Sequence, residues 1–183
     1  IGNFSFQISA EYIFQVNAIL TQVLYEEAVA KAKLTGSETV FDLYSGTGTI
    51  SLFLAERAAE VYGIEYSTAA VADAERNAAA NRIGNVKFIS GDVAEKIVEL
   101  KNEGVCPDVI VLDPPRAGCD EIVLRTAAEM APVRMVYVSC NPATLARDLA
   151  LLKPMGYQAS EIQPVDMFPQ TYHVECVAVI EKQ

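Results

Sequence analysis

The sequence predicts an α/β fold: a doubly wound sheet, mostly parallel, with helices on both faces and a C-terminal antiparallel hairpin. Three observations predict it. Short apolar runs rich in β-branched and aromatic residues alternate with longer segments of helical spacing, as a parallel sheet with crossover helices requires. A glycine-rich loop, Gly46-Thr47-Gly48, stands between the first strong strand and a helix. After Gly156, two strand-like runs follow one another with no helix between them, so an antiparallel pair is expected. A length of 183 residues suits a single domain spanning 1–183, and 51% hydrophobic content suffices for a full core.

The elements follow in order. Residues 1–8 alternate like a strand, and the absence of an initiator Met suggests a piece of a longer protein. From about 16 to 33, Val16, Ile19, Leu20, Val23 and Leu24 recur at helical spacing, and Gly36-Ser37-Glu38 ends that helix. Residues 39–43 form the first sheet strand. The glycine loop then opens a helix to about 57, followed by a strand over 60–65 and an Ala/Asn-rich helix over about 68–82. A strand at 86–90, a helix at about 93–102, a strand at 109–112 and a helix at about 121–130 continue the alternation. Met135-Val136-Tyr137-Val138 reads as a buried parallel strand. Asn141 suits the N-cap of the next helix, and Pro142 its first position, where a missing N–H costs nothing. The hairpin strands are expected at 157–162 and 174–180.

Chemistry gathers at the strand ends. Cys140 lies where a strand gives way to a helix, the edge at which open α/β sheets bind ligands. The positive end of the helix is expected to bring its thiol below the usual pKa of ~8.5, making it a candidate nucleophile; the plain alternative is a packing thiol. The glycine loop lacks the third glycine of G-x-G-x-x-G, since Ser51 stands there. Glu65, at a strand end 19 residues after Gly46, can accept ribose hydroxyls. These features fit NAD or S-adenosylmethionine. A second strand-end acid, Asp92, could receive an adenine amino group and favours S-adenosylmethionine, although it also suits a helix N-cap before Val93. Asp113-Pro114-Pro115-Arg116 gives an acid on a rigid loop suited to lining a flat pocket. Glu175 enters an apolar strand beside Val174, Cys176 and Val177, where burial raises a carboxyl toward the pKa of a useful base. His173 reads as a loop-orienting hydrogen-bonder, and Cys106, Cys119 and Cys176 as packing or surface thiols. The cysteines form no C-x-x-C pair and no zinc-like spacing, so no metal is expected, and a reduced, cytoplasmic setting is. No apolar run is long enough to span a bilayer. A net charge of -10 cannot neutralise phosphates, so any nucleic-acid grip must come mainly from elsewhere.

The ordered set Phe14-Gln15-Val16-Asn17, Leu43-Tyr44-Ser45-Gly46-Thr47-Gly48, Asp113-Pro114-Pro115-Arg116, Ser139-Cys140-Asn141-Pro142 and His173-Val174-Glu175 resembles one family. It is that of the S-adenosylmethionine-dependent RNA (uracil-5-)-methyltransferases, which make 5-methyluridine in 23S rRNA and tRNA. The resemblance covers nearly the whole chain. It implies a Rossmann-like methyltransferase sheet, cofactor contacts from Gln15, Tyr44, Glu65 and Asp113, a nucleophile in Cys140 and a base in Glu175. Asp92 is added from its strand-end position. It also implies an RNA substrate, held in family members by an N-terminal RNA-binding domain that this stretch lacks. The stretch from 139 to 148 looks closer to the rRNA enzymes than to the tRNA ones. Ile13 and Ala117 depart from the family pattern, which often has Phe and Lys there. An exocyclic-amine methyltransferase would place an aromatic where Arg116 stands and would need no Cys140. An NAD-dependent oxidoreductase would need a hydride-site acid/base pair that is not evident. A non-catalytic cofactor-binding module would give Cys140 and Glu175 no purpose.

Overall fold

The parallel run of strands predicted from the sequence is present in a computed structural model of the chain, which describes residues 1–7, 18–167, 169–171 and 174–183. In chain order the elements are α1 (Ala18–Ala32), β1 (Thr39–Leu43), α2 (Thr49–Ala55), β2 (Glu60–Glu65), α3 (Thr68–Ala80), β3 (Val86–Ser90) and α4 (Val93–Asn102). They continue with β4 (Val109–Leu112), α5 (Glu121–Glu129), β5 (Arg134–Ser139), α6 (Pro142–Leu152), β6 (Tyr157–Val165) and β7 (Glu175–Lys182). One seven-stranded sheet has the order β3-β2-β1-β4-β5-β7-β6. Strands β1 to β5 run parallel to one another, and β7 is antiparallel to both β5 and β6. The order reverses between β1 and β4, the switch point at which such sheets open a crevice.

Continuous apolar strands arise because both sheet faces are covered. Along β4, Val109 and Val111 face a core that includes Leu24 and Ala28 of α1, Phe53 of α2 and Ala78 of α3. Ile110 and Leu112 face the opposite core, with Ile97 of α4, Leu124 of α5 and Leu145 of α6. Side-chain caps start the helices as the sequence implies: Ser67 accepts from Ala70 N at 3.3 Å for α3, and Asn141 from Ala143 N at 3.1 Å for α6.

Two expectations need correction. Residues 1–7 form no strand. Their backbone is held by side chains of α3 instead: Ser5 N donates to Asn81 Oδ1 at 3.0 Å, and Gln7 N to Asn77 Oδ1 at 2.7 Å. The hairpin strands are longer than predicted, and β7 inserts inside the sheet while β6 takes the edge.

Candidate active site

Strands β1, β2, β4 and β5 end on one edge and deliver Tyr44, Glu65, Asp113 and Cys140 there. Tyr44 N and Ser45 N both donate to Ile64 O, at 2.9 and 3.0 Å, and Asp113 N donates to Leu43 O at 3.2 Å. These bonds carry the sheet slightly past the strand ends and fix where the loops begin. Glu65 then clasps the glycine loop: its Oε2 accepts from Gly46 N at 3.0 Å and its Oε1 from Ser67 N at 2.8 Å. Close packing beneath the loop explains Gly48 and Gly63. A Cβ at either would come within 2.7 or 2.6 Å of the Phe88 ring, and Gly48 also has a φ of +80°.

Asp42 was not singled out by the sequence reading, although a carboxylate inside the run Val40-Phe41-Asp42-Leu43 was the available signal. It is fully buried on β1, with Ser51 Oγ donating to its Oδ2 at 2.5 Å. Its Oδ1 and the buried Ser45 Oγ have no hydrogen-bond partner. Burial pushes Asp42 up to about 7, against the Ser51 hydrogen bond, with the Glu65 charge adding to the rise. Asp113 is pushed up to about 8 by burial and by the charges of Asp42 and Glu175. Two orphaned polar atoms and two desolvated acids beside a tight glycine loop fit a polar ligand that brings positive charge.

Strand register brings the candidate residues Cys140 and Glu175 together. The β5–β7 ladder ends with Ser139 opposite Cys176. The next facing positions are Cys140 and Glu175, which antiparallel geometry places side by side. Glu175 is 6% exposed, and burial raises its pKa, with Arg116 partly offsetting the rise. Cys140 is half-buried, and here the expectation of a depressed thiol pKa is overturned. Burial raises it first, then the carboxylates of Glu175 and Asp113, against a smaller lowering by Arg116. Cys140 also precedes the N-cap Asn141, outside the helix's own first turn.

The remaining predicted residues divide. Tyr44 has a left-handed φ of 71°, and its half-buried hydroxyl lies beside Cys119, burial being the main cause of its raised pKa. Asp92 is exposed and caps α4, its Oδ1 accepting from Ala94 N at 2.9 Å and Glu95 N at 3.2 Å. Cys119 and Cys176 are buried and Cys106 is exposed. Gln15 and His173 lie outside the described residues. Tyr66, directly after Glu65, is 75% exposed, a free aromatic surface that the sequence reading passed over. No helix among the described residues is long and apolar enough to cross a membrane.

Comparison with known proteins gives a uniform result. An uncharacterised RNA methyltransferase of Caldanaerobacter subterraneus is 54% identical over 182 residues, all of this chain and 40% of the relative. Another from Halalkalibacterium halodurans is 55% identical over 181 residues, 99% of this chain and 40% of that protein. The chain thus spans about two fifths of the curated relatives it matches. Among solved structures, the Pyrococcus abyssi tRNA (uracil-54, C5)-methyltransferase in complex with S-adenosyl-L-homocysteine superposes with a TM-score of 0.79. Its identity is 32%, over 96% of this chain and 41% of that one. A precorrin-6y C5,15-methyltransferase from Geobacter metallireducens shares the fold, with a TM-score of 0.76 at 13% identity. A sequence model described as tRNA (uracil-5-)-methyltransferase matches residues 2–183, and the chain belongs to that family.

Proposed function

We propose that this chain is the catalytic part of an S-adenosylmethionine-dependent RNA methyltransferase acting on carbon 5 of uridine. The observation that carries the reading is the β5–β7 register, which ends with Ser139 opposite Cys176 and leaves Cys140 near enough to Glu175 for that carboxyl to push the thiol's pKa up. Asp113 is close enough to raise the pKa of Cys140. The glycine loop with Tyr44, Glu65, Asp92 and Asp113 would hold the cofactor, joined by Gln15 on the strength of the family resemblance. Asp42, with its unpartnered Oδ1, and the exposed ring of Tyr66 extend that set. When bound, S-adenosylmethionine supplies an electrophilic methyl group.

The protein's own residues do the rest. Carbon 5 of uracil is a poor nucleophile until a thiolate adds to carbon 6 and creates an enolate. Cys140 makes that addition. Glu175 removes the proton left on carbon 5 after methylation, and its raised pKa makes it the stronger base for this step. Elimination then breaks the bond to carbon 6 and releases Cys140. The target base must be splayed out of any stack to reach the two side chains. With a net charge of -10, this chain leaves most of the RNA grip to parts of the full protein outside it. The likeness of residues 139–148 to rRNA enzymes supports 23S rRNA as the target; the Pyrococcus abyssi tRNA enzyme at 32% identity supports tRNA as the second reading. The four free cysteines of this chain, Cys106, Cys119, Cys140 and Cys176, support a reduced, cytoplasmic setting.

Variants of the full-length protein separate the two roles. Cys140→Ala should abolish both methylation and any covalent RNA adduct. Glu175→Gln should still methylate but stall as an adduct, giving a slow band on a denaturing gel. RNA containing 5-fluorouridine should trap the wild type in the same way, since fluorine cannot leave as a proton. Methylation by Cys140→Ala would end the thiolate reading. Mass spectrometry of rRNA and tRNA from a strain lacking the gene assigns the target.

A further inference from the structure

Asp148, in the middle of α6, is fully buried, and four donors surround its carboxylate. Oδ2 accepts from Cys119 N at 2.8 Å and from the Tyr137 hydroxyl at 2.6 Å. Oδ1 accepts from Arg147 Nε at 2.8 Å and Nη2 at 2.6 Å. Arg147 Nη2 also donates to Cys119 O at 3.2 Å. One turn earlier in α6, Thr144 Oγ1 donates to Arg116 O at 3.2 Å, and the N-cap Asn141 does the same through Nδ2 at 3.2 Å. The loop after β4 is therefore fastened to α6 at Arg116 and again at Cys119. Gly118 lets it lie this close: with φ +79°, a Cβ there would come within 2.5 Å of Arg147 Nη2 and 2.7 Å of Asp148 Oδ2. Tyr137 and Tyr44 both act on the ionisation of the Cys119 thiol, which burial raises, so the electrostatic surroundings of this network include the residue that follows β1.

This loop carries Asp113 and Arg116, and α6 begins just after Cys140. Burying a carboxylate is costly even when it is paired, and an apolar residue in its place would often be as stable or more so. What the carboxylate adds is a fixed spacing between two pieces of chain. We propose that Asp148 is a positioning residue, holding the Asp113–Arg116 loop in register with the helix behind Cys140. Part of its test rests on the methyltransferase reading above, and part stands without it.

The informative variant is Asp148→Asn in the full-length protein. Its amide oxygen can still accept from Cys119 N and Tyr137, while its NH2 faces the Arg147 donors and loses both bonds. The first readout is Cys140 alkylation by iodoacetamide against pH, followed by peptide mass spectrometry so that Cys106 does not interfere. Burial first, then the charges of Glu175, Asp113 and Arg116, govern the ionisation of Cys140, so loosening the loop should change its alkylation rate at pH 8 by on the order of fivefold or more. The kcat for uridine methylation should fall about 10- to 100-fold, the scale of an ångström-sized misplacement. The Kd for S-adenosylhomocysteine should weaken by a smaller factor than kcat falls, because Glu65 and the glycine loop are untouched and only Asp113 of the cofactor-holding set rides on the loosened loop. A folded variant with an unchanged alkylation profile and unchanged kcat overturns the proposal and leaves Asp148 a purely structural residue. If Asp148→Asn does not fold, Tyr137→Phe removes one donor from the other carboxylate oxygen, Oδ2, and is read identically. If the wild type methylates no uridine, the functional reading fails, while the alkylation profile still decides the role of Asp148.

Discussion

Single carboxyls set the pH behaviour of this protein. Unfolded, Asp42 and Asp113 release their protons near the ordinary 3.8; folded, they hold them to about 7 and about 8. Between these limits the unfolded chain binds fewer protons, so stability must fall as pH rises from about 4 to about 8. Urea midpoints measured across that range should decline, and Asp42→Asn should flatten part of the slope while keeping an acceptor for Ser51. Ligand binding runs the other way. S-adenosylmethionine carries a sulfonium and an ammonium, so it should bind the ionised acids more tightly. Its affinity should strengthen from pH 6 to pH 9, more steeply than that of the uncharged-sulfur product. Equal calorimetric slopes for the two would remove Asp42 and Asp113 from contact with the sulfonium. Residue types and strand-end positions made the gathering of Cys140, Glu65, Asp113 and Glu175 at the strand ends legible in the sequence. Asp42 was not, because its environment depends on Ser51 and on a loop that closes over it. Nor was the sense of the Cys140 shift, which is decided first by burial and then by the charges of Glu175 and Asp113, both far from it in sequence.

Between elements, one ring decides how closely β2, β3 and the glycine loop approach. Phe88 of β3 fills the space left by Gly63 in β2 and Gly48 at the start of α2. Gly63→Ala should destabilise the fold by about 1–3 kcal/mol through overpacking, and Phe88→Leu in the same chain should recover much of that loss. Equilibrium urea unfolding of the single and double variants checks both. Additive losses would mean that the ring is not the obstacle. At the sheet edges, β3 exposes Lys87 and Ser90, while β6 carries Pro164 and an irregularity between Ala159 and Glu161. Such features blunt an edge against pairing with another chain. The apolar period identified the strands and most helices. It misjudged residues 1–7, whose alternation is satisfied by Asn77 and Asn81 rather than by a neighbouring strand. It also stopped short on β6, where exposed residues on an edge strand break the pattern.

On the scale of the whole molecule, charge and topology have separate consequences. With 24 acidic against 14 basic residues, this chain alone should hold RNA only at low ionic strength, whereas the full-length protein should keep its grip at physiological salt. Filter binding over a salt series checks this, and equal affinities would place the RNA surface on this chain. The hairpin has a temporal consequence. Strand β7 comes last in sequence yet sits between β5 and β6, so a nascent chain emerging from the ribosome cannot complete the sheet in the order of synthesis. Strand β6 must wait unpaired until β7 arrives to join it to β5. Until then Cys140 has no Glu175 beside it, so the proposed pair of thiol and carboxyl is assembled only when β7 slides into place.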